Sequence, residues 1–376
     1  MANNAAAVVF EGGNPQDEIA LWFSEIRKAI TLDSLEKLLR SRAWDSIILV
    51  TNYDDLGAAA ARLGVKVHKS GAGGAFHFGR ELLRTVEANR PEKVLYFSGA
   101  SVPLLGAEKF AALAATLAAN DRLVFANNVQ SADLVAFTPA AALRQIALPE
   151  IDNSLGWLLK EEAGLPAEFA APSAEYSFDV DTPGDLIFLS LHPAAGSRFR
   201  TAFDASGLAA GRLREAASRV DEPGAELFLA GRVGPAIVAH FNQNFPCRLR
   251  VFSEERGMKA LGRQARGEVR SLLGDYLREV SPSAFFRRMA GYCSAAFIDT
   301  RVVFAAIAGN VSEWDRFNSD LGRYWLIKND FVRTFTEAAV RAPLPVILGG
   351  HTAVAGGLWV LADVLRGDKP SMLQQA

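Results

Sequence analysis

Cysteine is scarce in this sequence, since the 376 residues include only Cys247 and Cys293. Each stands alone in apolar surroundings, and the two are not spaced as a metal-binding pair. This scarcity argues against a disulfide scaffold of the kind found in small secreted domains. We therefore expect two buried thiols in a reducing compartment, and hence a cytoplasmic protein.

An excess of one charge is also missing, because 40 basic residues face 42 acidic ones. No global field would draw such a chain to nucleic acid or to an anionic membrane, so small molecules are the expected ligands.

The first ten residues lack the basic start of a secretory signal and predict a first strand instead. The longest apolar stretch, 346–365, is interrupted by glycines, His351 and Asp363. It predicts a buried strand, turn and helix, and no membrane span.

The chain has the length and the apolar content for more than one core. Hydrophobic residues make up 50% of the chain. Its length of 376 residues exceeds the usual size of a single domain. In the first half, short β-branched runs alternate with helical patterns, which is typical of a parallel sheet with helices on both faces. The predicted fold class is therefore α/β, with a first domain over 1–192 and a second, more helical α/β domain over 198–376. The residues between them, rich in proline, glycine and alanine, predict a linker.

Hydrophobic periodicity locates the elements. A capping-box pattern from Asp33 to Glu36 predicts that a second helix begins there, and 259–280 has an amphipathic helical pattern. Strands are predicted at 8–10, 47–50, 65–67, 94–97, 123–126, 134–137, 227–230, 249–252, 296–299, 302–304 and 346–348.

The sharpest motif is Asp179-Val-Asp181-Thr-Pro-Gly-Asp185. It places two carboxylates at alternate positions of a strand end, where they would point to one face before proline begins a helix. Two such carboxylates suit Mg²⁺, which takes oxygen ligands and bridges to phosphates. The alternative is that Asp181 or Thr182 caps the helix, with Asp185 in its first turn.

This motif resembles the closing motif of the GT-A-type nucleotidyltransferases, the group that contains the molybdenum-cofactor and phospholactate guanylyltransferases. The order of segments over residues 5–192 is similar to that group as well. Gly12 and Gly13 follow the first strand, where the enzymes of this group have a glycine turn that surrounds the nucleotide. Val102-Pro-Leu-Leu105 is similar to the end of the group's mid-domain motif. The resemblance implies a nucleotide-diphospho-sugar transferase-like fold and Mg²⁺ as cofactor. It also implies that Asp181 is a metal ligand and that Lys28 is the group's later lysine.

One carboxylate of that group has no counterpart here. Ser98-Gly-Ala-Ser101 stands where a metal-binding aspartate precedes the proline. Three alternatives follow. Asp179 and Asp181 hold the metal together, Asp133 substitutes for the missing carboxylate, or the domain binds a ligand without catalysing a reaction.

Further candidates for nucleotide or phosphate binding lie in loops that follow predicted strands. In the glycine-rich loop 71–79, backbone N–H groups would approach a phosphate beside Lys69, His77 and Arg80; the alternative is a solvated loop. Asn127 and Asn128 would recognise a base or a sugar, or would serve turn chemistry instead. The candidates are Gly12, Gly13, Asn14, Gly73, Gly74, His77, Ser98, Gly99, Ser101, Asn127 and Asn128.

In the second half, the densest polar constellation is a strand, loop and helix junction over 349–357. Its candidate residues are Gly350, His351 and Thr352, with His351 as donor or base and the backbone amides as anion ligands. Close packing of a helix on a sheet would require the same glycines. Asp299, at another strand end, is the best further candidate, against the alternative of a structural salt bridge with Arg301.

The leading hypothesis is a nucleotidyltransferase that transfers an NMP unit from an NTP to a phosphorylated small molecule with release of pyrophosphate. One alternative is an inactive nucleotide-binding module with a regulatory or assembly role. Another is a glycosyltransferase that uses a nucleotide sugar, although the late position of the Asp-x-Asp pair argues against it. The aromatic residues of the second half leave a homodimer open.

Overall fold

The computed structural model describes residues 4–71, 76–129, 131–259 and 261–367. Strands and helices alternate along them. The strands are β1 (Ala5–Phe10), β2 (Ser46–Thr51), β3 (Lys66–Lys69), β4 (Lys93–Ser98), β5 (Leu123–Ala126), β6 (Leu134–Thr138), β7 (Ala167–Phe169), β8 (Glu226–Gly231), β9 (Arg248–Ser253), β10 (Ala295–Asp299) and β11 (Val346–Gly349). The helices are α1 (Glu18–Ser41), α2 (Asp54–Arg62), α3 (Phe78–Asn89), α4 (Ala107–Ala118), α5 (Leu155–Glu161), α6 (Ala174–Ser177), α7 (Pro183–Leu191), α8 (Ser197–Ala205), α9 (Gly211–Ser218), α10 (Pro235–Asn244), α11 (Leu272–Glu279), α12 (Pro282–Met289), α13 (Thr300–Ala308), α14 (Glu313–Asp320), α15 (Asp330–Val340) and α16 (Gly356–Arg366).

The chain divides into two compact units. The first comprises Met1–Gln16, Ser24–Asp179 and Gly196–Ala202. The second comprises Asp17–Phe23, Val180–Ala195 and Phe203–Ala376. Asp179 therefore belongs to the first unit, whereas Asp181 belongs to the second. The domain ranges expected from the sequence, 1–192 and 198–376, stay a prediction.

The first unit contains a seven-stranded sheet with the order β3-β2-β1-β4-β6-β5-β7. Strand β6 runs antiparallel to β4 and β5, whereas the other neighbouring pairs are parallel. Both faces of the central strand β1 are buried, because alternate residues enter two different cores. One core contains side chains of α3 and α5, and the other contains side chains of α1, α2 and α4. The predicted mainly parallel α/β sheet with helices on both faces is confirmed.

The second unit contains a four-stranded sheet, entirely parallel, with the order β11-β10-β8-β9. Its main apolar core brings side chains of β8, β10 and β11 together with those of α11, α12, α13 and α15. Helices α9 and α10 contact strands β11 and β9. This unit is the second, more helical α/β layer that the sequence predicts. No helix in the described part of the chain has both the length and the apolarity to cross a membrane.

The predicted start of a helix at Asp33 is wrong. Asp33 lies inside α1, a single helix of 24 residues. Its carboxylate accepts hydrogen bonds from the backbone N–H groups of Arg198 and Phe199, at 3.1 and 2.9 Å. These donors belong to the first turn of α8, which has no earlier carbonyl to accept them. Asp33 therefore does serve a helix N-terminus, but one that lies about 165 residues further along the chain.

Two other predicted elements are also wrong. The run 302–304 lies in α13, because Asp299 caps that helix by accepting from the backbone N–H of Arg301 at 3.2 Å. Short buried apolar runs have no periodicity that separates a strand from a helix. The predicted helix over 259–280 begins only at Leu272. Gly257, Gly262 and Gly267 have φ values of 86°, 66° and 67°, which end any helix before that point.

Both cysteines are buried, as predicted, with 5% of Cys247 and 8% of Cys293 exposed. Burial raises the pKa of each thiol to about 11. Because the thiolate is the reactive form, we expect both thiols of the native protein to react with a disulfide reagent at pH 8 roughly a hundredfold more slowly than in the unfolded chain. Absorbance of the released thiol, followed with and without denaturant, measures this. Fast labelling of either cysteine in the native protein would contradict it.

Candidate functional site

The strand order of the first sheet reverses at β1. The chain passes from β1 to β2 and β3 on one side, and β4 then lies on the other side of β1. In open α/β sheets, ligands bind outside the carboxyl ends of the strands at such a reversal. Phe10 and Ser98 are register partners at the ends of β1 and β4. The segments that follow them, 11–14 and 99–102, therefore form the first candidate site.

The turn after β1 is held by one side chain. Gly12, Gly13 and Asn14 are exposed. Asn52, which follows β2, accepts from the backbone N–H of Gly13 at 3.0 Å and donates to its carbonyl at 2.8 Å. A Cβ on Gly12 would lie 2.5 Å from the Asn52 Oδ1 atom, so this contact requires glycine. The predicted glycine turn is thus an exposed stretch of backbone fixed by Asn52.

A buried ion pair lies beneath this turn. Glu11, whose side chain is 1% exposed, accepts from Arg27 Nε at 3.1 Å and from Arg27 Nη2 at 3.0 Å. Such bidentate pairs are strong and fix the plane of the guanidinium group. Arg27 keeps a fifth of its side-chain surface exposed and brings a positive charge to the end of β1. Sequence reasoning missed both residues, because the partners are 16 positions apart and share no motif.

The turn after β4 is strained. Val102 has a φ of 46°, which a β-branched residue adopts only under constraint. The preceding Ser101 is buried, and its hydroxyl hydrogen-bonds the carbonyls of Ser98 and Asp133 at 2.7 and 3.2 Å. Gly99 packs so closely on α1 that a Cβ would lie 2.4 Å from Thr31 Oγ1. Backbone strain of this kind is concentrated at functional sites.

The described residues do not fit a metal centre built from several side chains. Among them, no group of three or more His, Cys, Asp or Glu side chains could hold a metal ion. The backbone of Ser101 pairs with that of Asp179 in an isolated antiparallel bridge. Mg²⁺ at Asp179 and Asp181 stays a prediction.

The motif from Asp181 to Asp185 forms a helix N-terminus. Asp185 is the third residue of α7, and its carboxylate accepts from the backbone N–H groups of Asp181 and Thr182 at 3.0 and 2.7 Å. These bonds satisfy N–H groups that a helix start leaves without carbonyl partners. Asp185 is 1% exposed, whereas Asp181 is exposed. The structure thus contains a capped helix start, as in the alternative. The Asp185 carboxylate accepts from the backbone N–H groups of Asp181 and Thr182.

Lys28 lies near the first candidate site, on α1. Its Nζ atom pairs with Glu25 at 2.7 Å and with Asp55 at 2.9 Å. It also lies 4.4 Å from the centre of the Tyr53 ring. A Cβ on Gly13 would lie 2.8 Å from the Tyr53 hydroxyl, so one side chain separates Lys28 from the turn. Although burial opposes it, hydrogen bonds to Glu25 and Asp55 raise the pKa of Lys28, which keeps the amine charged.

Two other predicted residues have structural partners. His77 caps α3, with Nδ1 accepting from the backbone N–H of Arg80 at 3.4 Å. Asn127 accepts from the backbone N–H groups of Asp133 and Leu134, both at 3.0 Å, and donates to the carbonyl of Tyr176 at 2.9 Å. Its amide thus serves turn chemistry. Asn128, next to it, is exposed and accepts from the backbone N–H of Ser131 at 3.4 Å. The predicted Gly73 and Gly74 lie outside the described residues.

The second unit places charged groups at the carboxyl end of its sheet. Asp299, with a fully buried side chain at the end of β10, accepts from Arg232 Nε at 2.6 Å and from Arg232 Nη2 at 3.1 Å. Burial disfavours a charged carboxyl, but the Arg232 guanidinium lowers the pKa of Asp299 below its ordinary value. Arg301 donates to Asp320 through Nη1 at 2.8 Å and Nη2 at 2.6 Å. The predicted salt bridge between Asp299 and Arg301 is therefore wrong, since each has a different charged partner.

The predicted residues of the second half lie beside these pairs. A Cβ on Gly350 would lie 3.2 Å from Thr182 Cγ2 and 3.9 Å from Arg301 Nη2. Thr352 is buried, whereas His351 is exposed. Sequence reasoning missed Arg232, although its position directly after a strand that ends in glycine was visible.

Comparison with known proteins describes what the chain is similar to. No family model and no curated protein match it. Among solved structures, a nucleotidyl transferase from Methanothermobacter thermautotroptrophicus is 17% identical, over 54% of this chain and 99% of its own, with a TM-score of 0.40. A CMP:2-keto-3-deoxy-manno-octonic acid synthetase complexed with CTP is 13% identical, over 48% of this chain and 95% of its own, with a TM-score of 0.36. A manganese complex of a Mycobacterium tuberculosis H37Rv protein is 21% identical, over 49% of this chain and 96% of its own, with a TM-score of 0.34.

At identities and TM-scores this low, the fold class rests on the strand order and the two-sided burial of the first sheet. The resemblance to the guanylyltransferase group stays a prediction.

Proposed function

We propose that the first unit binds a nucleotide at the carboxyl ends of β1 and β4. The observation that carries this proposal is the reversal of strand order at β1, with an exposed glycine turn on one side and the strained Val102 turn on the other. Asn52 accepts the N–H of Gly13 and holds the turn, and the backbone N–H groups of Gly12 and Asn14 are suited to phosphate oxygens.

The charges around the turn support a phosphate ligand. Arg27 and Lys28 are adjacent on α1, and each is held by carboxylates that fix its position: Arg27 by Glu11, Lys28 by Glu25 and Asp55. A cation that is already positioned loses less conformational entropy when it binds a ligand. We therefore propose that the phosphates of the nucleotide bind at 12–14 with Arg27 as the nearer cation, since Tyr53 lies between Lys28 and the turn.

The reaction that the family resemblance implies is transfer of an NMP unit to a phosphorylated small molecule with release of pyrophosphate. Positioning and charge neutralisation provide most of the catalysis in phosphoryl transfer. The turns at 12–14 and 98–102 would supply the positioning. The missing carboxylate at Ser101 makes binding the better supported part of the proposal.

Isothermal titration of the full chain with ATP, GTP, CTP and UTP, each with Mg²⁺ and with EDTA, tests the binding. We expect one of them to bind, and Asn52→Ala to weaken it about tenfold, because two hydrogen bonds to Gly13 are lost. Asn52 is exposed, so its removal leaves the core intact. Asn120→Ala is the matched control, since within the described part of the chain its side-chain amide bonds the carbonyl of Thr116 and no other group. Absence of binding, or equal loss in both variants, would refute the proposal.

The transfer reaction has a separate readout. Incubation with the nucleotide that binds, Mg²⁺ and phosphorylated acceptors is expected to release pyrophosphate, and Asn52→Ala, which weakens nucleotide binding, is expected to slow this release. Nucleotide binding without pyrophosphate release identifies a binding module. Release of a nucleoside diphosphate from a nucleotide sugar would instead identify a glycosyltransferase.

A further inference from the structure

We propose that the second unit has its own binding site for a phosphorylated small molecule that carries hydroxyl groups, at the carboxyl ends of β8 and β10. The site is formed by Arg232, His351 and Asp181, and it is independent of the nucleotide site proposed for the first unit.

The topology marks this edge of the second sheet. From β8 the chain goes to β9 on one side, and then to β10 and β11 on the other. The strand order therefore reverses between β8 and β10, and their carboxyl ends open the crevice at which such sheets bind ligands. Arg232 directly follows β8, and Asp299 is the last residue of β10.

Arg232 is held in a position to bind an anion. The Asp299 carboxylate accepts hydrogen bonds from Nε and Nη2 of Arg232, and it also accepts from the backbone N–H of Arg232 at 3.3 Å. No side chain or backbone group in the described ranges accepts from Nη1. The side chain keeps 12% of its surface exposed. Asp299 thus fixes one edge of the guanidinium, and the other edge is left for a ligand oxygen.

The neighbouring groups define the rest of the ligand. His351 is exposed and begins the helical turn 351–354, which contacts β8 and β10. Its imidazole can donate a hydrogen bond to a ligand oxygen or accept one from a ligand hydroxyl. Asp181, an exposed carboxylate, lies beside the same turn, because a Cβ on Gly350 would come within 3.2 Å of Cγ2 of the neighbouring Thr182. A bare oxyanion would be repelled by Asp181, whereas a hydroxyl group would donate to it. A sugar or polyol phosphate carries a phosphate beside hydroxyl groups. Its phosphate would bind Arg232, and a hydroxyl would donate to Asp181.

Positive charge at the same edge favours an anionic ligand. Strand β9 also ends there and is followed by Glu254 and Glu255, which accept from Ser271 and Arg263, and then by Arg256 and Lys259, which are exposed. Among the ion pairs of the described residues, neither has a partner. The carboxylates of Asp299 and Asp320, in contrast, are already neutralised by Arg232 and Arg301. Cations without partners raise the local concentration of an anion and accelerate its association.

Calorimetric titration of the full chain with glycerol 3-phosphate, with glycerol as the uncharged probe, tests the proposal. We expect glycerol 3-phosphate to bind and glycerol not to bind. Arg232→Gln is expected to weaken binding at least about tenfold, because a charge-assisted hydrogen bond is lost. Arg248→Gln is the matched control, since it removes one exposed arginine from β9, and its affinity is expected to stay within about twofold of the wild type. No measurable binding, or equal affinity of the wild type and Arg232→Gln, overturns the proposal.

Two further measurements separate this site from the nucleotide site and from a folding defect. Asn52→Ala is expected to leave glycerol 3-phosphate binding unchanged, and its loss in that variant would move the site to the first unit and overturn the proposal. If thermal unfolding shows that Arg232→Gln is not folded, His351→Gln decides the matter, because His351 is exposed. We expect His351→Gln to weaken binding about fivefold, and wild-type affinity in that variant overturns the proposal.

Discussion

Replacing Asp320 by alanine is expected to lower the free energy of unfolding by about 3–5 kcal/mol, because it leaves a buried cation without its counter-ion. Arg301 is 6% exposed and Asp320 has a fully buried side chain. Arg301 donates two hydrogen bonds to the Asp320 carboxylate, at 2.8 and 2.6 Å. Although burial opposes it, the Asp320 carboxylate raises the pKa of Arg301. The substitution removes this favourable partner, while the intrinsic basicity of arginine keeps the guanidinium charged. Unfolding in urea, followed by far-ultraviolet circular dichroism, measures the loss.

A double substitution provides the control for this result. Arg301→Met combined with Asp320→Leu removes both charges and fills the space with apolar atoms, and such replacements are often neutral or stabilising. We therefore expect the double variant to be more stable than Asp320→Ala alone. If Asp320→Ala lies within about 1 kcal/mol of the wild type, water reaches Arg301 and the pair is not buried in solution.

The strands were the most predictable part of the fold. A run such as 47–50 is apolar and β-branched over the length of one strand, and the structure extends it by one residue at each end to β2. The run 302–304 has a similar composition but lies in a helix, since Asp299 caps it. Strand β7, which contains Glu168 and an exposed Phe169, was not predicted, because an edge strand of three residues has no buried face to reveal it. Local pattern therefore predicts buried strands and fails where one distant or polar contact decides.

The candidate sites were predictable only as backbone positions. Gly12, Gly13, Ser98 and Gly350 follow strands in the sequence, and the structure places them at the carboxyl edges of the two sheets. The ion pairs beneath those edges were not predictable, because Arg232 and Asp299 are 67 residues apart. Asp33 shows the same limit, since the pattern around it matches a local cap while its real partners are distant. The sequence identifies where a strand ends, but tertiary structure decides which charges meet there.

Replacing Gly231 by alanine is expected to destabilise the second unit by about 2–4 kcal/mol, which combines backbone strain with overpacking. Gly231 ends β8 with a φ of 108°, which residues with a Cβ rarely adopt. A Cβ at this position would lie 2.6 Å from the Cβ of Asp299 and 2.9 Å from its carbonyl oxygen. Neither contact is relieved by rotating a side chain, so β8 and β10 must separate. That movement displaces Asp299 from Arg232, and we expect glycerol 3-phosphate binding to be lost with the stability.

Gly211→Ala is the matched control, because Gly211 lies at the start of α9, where an added Cβ would have no atom within 4 Å and the φ is not positive. The same substitution there is expected to be neutral or to stabilise the protein by up to about 1 kcal/mol, since alanine reduces the entropy of the unfolded chain. Thermal unfolding of both variants, with titration of glycerol 3-phosphate, compares them directly. Equal stability of the two variants would show that β8 and β10 separate at little cost, and the rigid placement of Arg232 by Asp299 would then be wrong.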